Sequence, residues 1–521
     1  MPSAAERAFP DTYAARTPDK PAVVMTGSGD TLTYRELDEG SNQVAHALRA
    51  AGLRRFGHVA FLLENSLTIF EILVAAERSG CYFTPINTRL TAEEAAYIVA
   101  DSGATVLFAS ARFAELAEAI AARSPRLVLR VAVGGPIPGF TDYADAVRGQ
   151  PRTPIADESP GRGMAYSSGT TGRPKGIQRP LPEGEVGAPD PWVAALQRLY
   201  GWDSDTRYLC PAPLYHTAGF SYTAMIVRMG GTALVMERFE PEALLRAVEQ
   251  YRATAVQVVP TMFIRMLRLP EEVRTRYDLS SLRTALHAAA PCPIPVKEAM
   301  LEWWGPIVYE YYAGSEGNGY CMITPREWST HKGSVGKPRV GIAHVVDESG
   351  AELPTGEPGV LFFDTPGEPF VYHGDAAKTA ESRHPAGWTT AGDMGYLDEE
   401  GYVYLTDRKS HMIISGGVNI YPQEVENLLT VHPAVHDVAV IGVPDEEFGE
   451  QVKAVVVPAD ATAAGPGLAA ELIDHCRANL AHYKCPRSVD FVDDLPRAEN
   501  GKLYKRLLRD RYWEGRASRL V

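Results

Sequence analysis

The chain has 521 residues, of which 45% are hydrophobic and 22% are charged, an ordinary composition for a globular protein. Its 51 Lys and Arg residues and 65 Asp and Glu residues give a formal net charge of −14, which argues against a general nucleic-acid binder. A chain of this length predicts several modules and a core that needs neither disulfides nor a structural metal.

The six cysteines are scattered and contain no Cys-x-x-Cys pair. This spacing argues against a zinc ribbon or a disulfide framework and fits a reducing cytosol, so we expect a cytoplasmic protein. Residues 1–19 include Pro, Glu and Asp and lack the apolar core of a secretory signal. No run of 18 or more apolar residues occurs, so we expect no membrane span, and we leave a homodimer open.

Short apolar segments alternate with helical patterns through the first half of the chain. The pattern predicts, in chain order, a strand at 60–63, a helix at 67–78, a strand at 82–85, a helix at 91–100 and a strand at 104–109. Thr91 and Glu94 have the spacing of a capping box. The alternation predicts an α/β fold with a large N-terminal domain of parallel-rich β-sheets covered by helices.

The pattern changes after about residue 404. A short charged stretch, Asp407-Arg408-Lys409-Ser410, is followed by Ser415-Gly416-Gly417 and by compact elements: strands at 438–443 and 452–457 and a helix at 468–480. We place a boundary near Ser410. The expected domains are a large N-terminal domain, 1–409, and a small mobile α+β C-terminal domain, 410–521.

A dense run of glycines and hydroxyl residues, Ser-Ser-Gly-Thr-Thr-Gly-Arg-Pro-Lys-Gly, occupies 167–176. Glycines let a backbone approach an anion closely, and N–H groups, hydroxyls and a lysine can then hold phosphate oxygens. Lys175 supplies that charge here, and the apolar residues 164–166 indicate that the loop leaves a strand. Because Pro174 precedes the lysine and Gly176 follows it, this is not a Walker A loop, and a P-loop ATPase is disfavoured.

The loop resembles that of the adenylate-forming superfamily, which comprises acyl-CoA synthetases, adenylation domains of peptide synthetases and beetle luciferases. Residues 166–176 match the superfamily pattern Tyr-Ser/Thr-Ser-Gly-Thr-Thr-Gly-x-Pro-Lys-Gly throughout. The resemblance runs from about Tyr34 to Arg509, and further motifs follow in the superfamily's order. It implies that the loop binds the phosphates of ATP.

The second motif, Tyr311-Tyr312-Ala313-Gly314-Ser315-Glu316-Gly317, is similar to the superfamily's Tyr-Gly-x-Thr-Glu. The resemblance implies that Glu316 is a ligand of the Mg²⁺ that bridges the ATP phosphates, a role suited to a hard carboxylate. It also implies that the neighbouring backbone and aromatic ring flank adenine and the new acyl phosphate. Ala313 and Ser315 stand where the superfamily has Gly and Thr, and Ser315 keeps the hydroxyl.

The third motif, Trp388-Thr389-Thr390-Ala391-Gly392-Asp393, is similar to Tyr-x-Thr-Gly-Asp. The resemblance implies that Asp393 accepts hydrogen bonds from the ribose hydroxyls and that Arg408 contacts ribose and phosphate. In the fourth motif, Asn500-Gly501-Lys502, it implies that Lys502 stabilises charge on the carboxylate and the α-phosphate during adenylation.

The resemblance further implies a rotation of the C-terminal domain between two half-reactions, about a hinge at Ser410, where the superfamily usually has Asp or Lys. Gly416 and Gly417 would then meet the pantetheine arm of coenzyme A. A hinge of a few residues is sufficient for such a movement.

Two weaker matches concern the acid. Tyr215-His216-Thr217-Ala218-Gly219 is similar to the segment whose aromatic ring borders the acyl site, and 288–291 is similar to a turn beside adenine and the acyl group. We therefore expect an acyl pocket formed by His216, Thr217, Met262, Ala289, Ala290 and Gly314. The expected ATP and AMP site comprises Ser167, Ser168, Gly169, Thr170, Thr171, Gly172, Lys175, Tyr312, Ala313, Gly314, Ser315, Asp393, Arg408 and Lys502.

The reaction that the resemblance implies has two steps: the acid and ATP form acyl-AMP and pyrophosphate, and a thiol then displaces AMP. Lys175, Lys502 and Glu316 are the expected catalytic residues, and ATP, Mg²⁺ and coenzyme A are the expected cofactors and co-substrates. No fixed charge stands out in the pocket segments, so we expect a fatty or other hydrophobic acid.

Several alternatives stay open. The acid could be an aryl or arylpropenoic acid, and the acceptor could be the thiol of a separate carrier protein. An amino-acid-activating domain is disfavoured, because residues 215–218 lack the Asp that would pair with the substrate ammonium. From another class, residues 313–317 approach the Gly-x-Ser-x-Gly elbow of a serine hydrolase, but the first Gly is Ala and a hydrolase would not explain 167–176.

Overall fold

A computed structural model describes residues 7–167, 174–408, 411–416, 418–497 and 503–514. The α-helices within these ranges are, in chain order, α1 (Pro10–Arg16), α2 (Tyr34–Ala50), α3 (Thr68–Arg78), α4 (Ala92–Asp101), α5 (Ala114–Arg123), α6 (Tyr143–Val147), α7 (Pro191–Tyr200), α8 (Thr217–Arg228), α9 (Pro241–Tyr251), α10 (Pro260–Leu267), α11 (Glu271–Arg274), α12 (Ile294–Trp304), α13 (Pro325–Thr330), α14 (Ala376–Glu381), α15 (Pro422–Thr430), α16 (Pro466–Asn479) and α17 (Lys505–Trp513).

The β-strands in the same ranges are β1 (Pro21–Met25), β2 (Thr31–Thr33), β3 (His58–Leu62), β4 (Tyr82–Pro85), β5 (Val106–Ser110), β6 (Leu129–Val133), β7 (Thr141–Asp142), β8 (Arg162–Gly163), β9 (Ala165–Ser167), β10 (Lys175–Gln178), β11 (Arg207–Cys210), β12 (Thr232–Val235), β13 (Ala255–Val258), β14 (Thr284–His287), β15 (Val308–Tyr312), β16 (Tyr320–Ile323), β17 (Lys337–Val340), β18 (Ile342–Val346), β19 (Gly359–Asp364), β20 (Val371–Tyr372), β21 (Asp393–Leu397), β22 (Val403–Arg408), β23 (Ile413–Ser415), β24 (Val418–Ile420), β25 (Val435–Asp445), β26 (Gly449–Pro458) and β27 (Ser488–Phe491).

Contacts divide the chain into two units, and the first comprises Met1–Val258, Leu269–Ala285 and Glu368–Glu381. One of its sheets is parallel throughout, in the order β7-β6-β5-β3-β4-β8. Every residue of β3 and β5 is buried, and apolar side chains of α4 and α5 join the core against them. Continuous apolar strands of this kind are typical of covered parallel sheets.

The first unit also contains the strand order β13-β11-β12-β1, again parallel, with β2 added antiparallel at the edge. A small antiparallel sheet, β20-β10-β9, completes this unit. Because β9 ends at Ser167 and β10 begins at Lys175, these two paired strands lie on either side of the glycine-rich segment in the chain.

The second unit comprises Val259–Arg268, Leu286–Gly367 and Ser382–Val521. Here β15, β16 and β17 pair antiparallel, and β18, β19, β21 and β22 form a second antiparallel sheet. Beyond β22, the order β24-β23-β26-β25 is antiparallel and β27 lies parallel to β26. Apolar residues of α15 and α16 cover that sheet and form its core.

The α/β fold predicted from the sequence is confirmed. The strand predicted at 82–85 is β4, and α4 begins after Thr91, where Thr91 and Glu94 form the predicted capping box. Ser410 lies outside the described residues, so the domains 1–409 and 410–521 stay a prediction. In the part of the chain that the structure describes, no helix has the length and apolar character needed to span a membrane.

Candidate active site

In the first unit, Lys175 begins β10 and pairs with Ser167 of β9 across the small antiparallel sheet. Its side chain is 13% exposed, and Nζ lies 3.8 Å from Asp375 Oδ2 and 5.8 Å from the ring centroid of Tyr372. Burial lowers the pKa of Lys175, and the like charge of Lys378 lowers it further. The candidate phosphate-binding lysine therefore lies beside a carboxylate at a loose distance.

The structure does not describe every predicted site residue. Those that lie outside the described residues are Ser168, Gly169, Thr170, Thr171, Gly172, Ser410, Gly417 and Lys502.

The candidate acyl segment of the first unit precedes α8, which begins at Thr217 and has His216 as its N-cap. Asn65 holds the residues just before this segment from another loop. Its Nδ2 donates to the carbonyl oxygen of Ala212 over 3.0 Å, and its Oδ1 accepts from the backbone N–H of Leu214 over 2.8 Å. The sequence analysis missed Asn65, because nothing in its local pattern shows that it reaches this distant segment.

In the second unit, Tyr312, Asp393 and Arg408 form one hydrogen-bonded cluster. Tyr312 Oη donates to Asp393 Oδ2 over 2.7 Å, and Arg408 Nε lies 2.9 Å from Asp393 Oδ1. Asp393 begins β21 directly opposite Arg408 at the end of β22, so the antiparallel register brings them together. Burial raises the pKa of Tyr312, and Asp393 raises it further, so the phenol remains a donor. The Asp393 carboxylate is thus held in one orientation by two donors.

Residues 314–317 follow β15 and form a tight turn, in which the N–H of Gly317 donates to the carbonyl oxygen of Gly314 over 3.0 Å. A Cβ on Gly314 would lie 2.9 Å from both Glu316 Oε2 and Asn318 Oδ1, so a larger residue here would displace the ends of these two side chains. Among the described residues, the buried Nδ2 of Asn318 has no hydrogen-bond partner. Buried amides usually have a partner, so Asn318, which the sequence analysis missed, is a further candidate for ligand contact.

The remaining acyl candidates of the second unit lie on α10 and after β14. Met262 of α10 is buried, whereas Ala290 is half-buried and Ala289 is exposed. Ala289 has a φ of 75°, in the left-handed region. An alanine in this conformation is strained by about 1–2 kcal/mol, and strain of this kind concentrates at functional sites.

A buried charged cluster lies next to these segments in the second unit. Lys297 Nζ of α12 is 2.6 Å from Glu310 Oε2 of β15, and His287 Nε2 of β14 is 3.4 Å from the same oxygen. Burial raises the pKa of Glu310 and lowers that of His287, so the imidazole is neutral. His287 directly precedes the turn 288–291, and Glu310 stands two residues before Tyr312. The cluster therefore connects the strands that lead into two of the predicted motifs.

On the two sides of the predicted hinge, the described residues are held by hydrogen bonds. Asp407 is buried and accepts from the backbone N–H of Gln423 over 3.2 Å. Burial alone would raise the pKa of Asp407, but the charge of Lys505 helps to hold it below its usual value. Gly416 has a φ of 58°, and its N–H donates to the carbonyl oxygen of Phe448 over 2.8 Å.

Comparisons with known proteins show the family of this chain. Residues 10–371 match the profile of the AMP-binding enzyme family, and residues 424–502 match the profile of the AMP-binding enzyme C-terminal domain. The chain belongs to the AMP-binding enzyme family. The resemblance predicted from the sequence and the prediction of an AMP-forming acyl-CoA ligase-type enzyme are confirmed.

This AMP-binding enzyme is 37% identical to a feruloyl-CoA synthase of Amycolatopsis sp. over 94% of its own length and 96% of the relative's. It is 33% identical to the fatty acid–[acyl-carrier-protein] ligase ScoC of Streptomyces coeruleorubidus, over 96% of this chain and 95% of that protein. Among solved structures, it resembles the anthranilate CoA ligase AuaEII in complex with anthranoyl-AMP, with a TM-score of 0.83, 27% identity and 98% of each chain covered.

Proposed function

We propose that this AMP-binding enzyme activates a hydrophobic carboxylic acid with ATP and transfers the acyl group to the thiol of coenzyme A. The observation that carries the proposal is the cluster of Tyr312, Asp393 and Arg408, which three separate segments contribute. An oriented carboxylate beside a guanidinium suits a ribose diol next to a phosphate.

In the first step, a carboxylate oxygen of the acid attacks the α-phosphorus of ATP, and pyrophosphate leaves. Two anions approach each other, so cations and N–H donors at the phosphates are expected to supply most of the rate. Lys175 is the described cation for this task, and Lys502 is assigned to the same step by resemblance. The acid is itself the nucleophile, so the step requires no serine, histidine and aspartate triad.

The carboxylate of Glu316 fits the expected Mg²⁺. Its oxygens are hard ligands, and the neighbouring Gly314 has no side chain that would crowd the carboxylate. A protein usually holds Mg²⁺ through one or two carboxylates together with substrate phosphates, so one acidic side chain is sufficient. A bound Mg²⁺ would neutralise charge on the phosphate oxygens; Glu316 would orient it.

In the second step, a thiolate attacks the acyl carbon and AMP leaves. The feruloyl-CoA synthase and the anthranilate CoA ligase among the similar proteins support coenzyme A as the acceptor, whereas the similarity to ScoC supports a carrier protein. Coenzyme A is the proposed acceptor because the relative with the higher identity is a CoA enzyme. Gly416 and Gly417 are the proposed contacts of its pantetheine arm.

The proposed acid is hydrophobic, with a fatty acid and an arylpropenoic acid as the two candidates. Met262, Ala289 and Ala290 offer small or apolar surfaces, which suit both. The 37% identity to a feruloyl-CoA synthase is the observation that favours the arylpropenoic candidate.

The test is acid-dependent pyrophosphate release measured across a panel of octanoic, palmitic, benzoic and ferulic acids, with and without coenzyme A. We expect release with a hydrophobic acid and a faster turnover when coenzyme A is present. Replacing coenzyme A by a pantetheine-loaded carrier protein separates the two acceptors. If no acid in the panel supports release of pyrophosphate, the proposed function is wrong.

A further inference from the structure

A second lysine lies beside Lys175. Lys378 belongs to α14, which follows β20, and β20 pairs antiparallel with β10, the strand that begins at Lys175. The positive charge of Lys378 acts on Lys175 strongly enough to lower its pKa, second only to burial. Sheet pairing therefore brings together two cations that lie far apart in the sequence.

Asp375 lies between the side chain of Lys175 and the backbone of Lys378. Its Oδ2 lies 3.8 Å from Lys175 Nζ, and its Oδ1 accepts from the backbone N–H of Lys378 over 2.8 Å. The ammonium of Lys378 lies 2.7 Å from Glu381 Oε2, and the Glu381 side chain is 65% exposed. A 3.8 Å ion pair is loose and an exposed pair contributes little to stability, so both lysines are able to exchange these carboxylates for another anion.

We infer that Lys378 is a second cation for the pyrophosphate portion of ATP, and that Asp375 partly neutralises Lys175 until phosphates bind. The inference rests on the proposed phosphate-binding role of Lys175. Two point charges near each other suit a ligand with several anionic oxygens, whereas a singly charged acid needs only one. Lys378 and Asp375 would therefore act on the triphosphate and the leaving pyrophosphate rather than on the acid.

The two residues predict effects of opposite sign. Lys378→Gln removes a cation that attracts pyrophosphate, so binding weakens. Asp375→Asn removes an anion that competes with pyrophosphate, so binding strengthens. Asparagine caps a helix about as well as aspartate does, so this second change retains the backbone contact at the start of α14. A merely structural role of the segment would weaken binding in both variants.

The experiment is isothermal titration calorimetry of the full chain with inorganic pyrophosphate and with ATP, each in the presence of Mg²⁺. We expect Lys378→Gln to raise the Kd for pyrophosphate about fivefold and Asp375→Asn to lower it by a similar factor. A change of this size corresponds to one unit charge that acts over several ångströms in partly solvated surroundings. Lys332→Gln is the matched control, because Lys332 also forms an exposed ion pair with a glutamate, Glu298. Its Kd should equal that of the unchanged chain.

The outcomes separate this inference from the proposed function. If Lys175→Gln weakens pyrophosphate binding but Lys378→Gln does not, the inference fails and the proposed function stands. If Lys175→Gln also leaves the binding of ATP and pyrophosphate unchanged, the phosphate site itself is wrongly assigned. Equal weakening in Lys378→Gln and Asp375→Asn would overturn the inference. Lys378→Gln should also leave thioester formation from supplied acyl-AMP unchanged, because pyrophosphate takes no part in that step.

Discussion

Lys297 and Glu310 form a buried ion pair, and the loss of stability on breaking it has a predictable magnitude. The Lys297→Met change keeps an unbranched apolar side chain near Trp328, whose ring centroid lies 4.7 Å from Lys297 Nζ. In the unchanged chain, Lys297 Nζ lies 2.6 Å from Glu310 Oε2. The variant therefore leaves the Glu310 carboxylate buried without its cation. Removing one partner of a buried pair typically costs about 3–5 kcal/mol of unfolding free energy.

A second variant separates the unpaired charge from the loss of packing. In Lys297→Met/Glu310→Leu both charges are absent, and replacing a buried ion pair by apolar residues is often neutral. We therefore expect the single variant to lower Tm by about 10 °C and the double variant to recover most of that loss. The measurement is the midpoint of thermal and urea unfolding, followed by tryptophan fluorescence.

The loss of unfolding free energy caused by Lys297→Met should also depend on pH. Burial already raises the pKa of Glu310, and the variant removes the lysine that lowers it. A carboxyl whose folded pKa is raised keeps its proton in the folded state after the unfolded state has lost it, so stability falls as pH rises above the unfolded value. The difference in unfolding free energy between the variant and the unchanged chain should therefore be smaller at pH 5 than at pH 8. A deficit that is equal at both values, or a double variant as unstable as the single one, would refute this reasoning.

Three further changes test the candidate site. Lys502→Ala should reduce acyl-AMP formation about a hundredfold and spare thioester formation from supplied acyl-AMP, measured as separate half-reactions; equal losses in both would contradict its assigned role. Asp393→Asn should raise the KM for ATP by about tenfold or more, because the ribose hydroxyls lose a charged acceptor, whereas an unchanged KM would remove Asp393 from the ribose site. Gly314→Ala should lower kcat for pyrophosphate release without lowering Tm by more than a few degrees, since its Cβ would meet Glu316 Oε2 at 2.9 Å; wild-type kcat would show that the turn has room.

The candidate residues were predictable where a local motif carries them. Asp393 and Glu316 stand in short motifs whose roles the resemblance implies, and a carboxylate suits both of those roles. The strand register that places Asp393 opposite Arg408 was not predictable, because pairing depends on the hydrophobic faces and turns of the whole sheet. Before the structure was known, only the resemblance to the superfamily indicated that Asp393 and Arg408 belong to the same site.

The buried and long-range pairs escaped the sequence analysis for a physical reason. Lysine and glutamate are usually exposed, so nothing in the sequence indicates that Lys297 and Glu310 are both buried. Asp375 reaches Lys175 only because β20 is added to β10 in the small antiparallel sheet. By contrast, the capping box of α4 depends on residues three apart, and the sequence was sufficient to predict it.

The ion pair between Arg408 and Asp393 has a consequence for how the enzyme could carry out two successive half-reactions. Arg408 is the last described residue before the predicted hinge, and it is fixed to the same carboxylate that Tyr312 holds. A rotation that starts after Arg408 would leave this cluster in place. The sugar of the adenylate would then keep its anchor while the chemistry around its acyl end changes, so one bound intermediate could serve two half-reactions without leaving the protein.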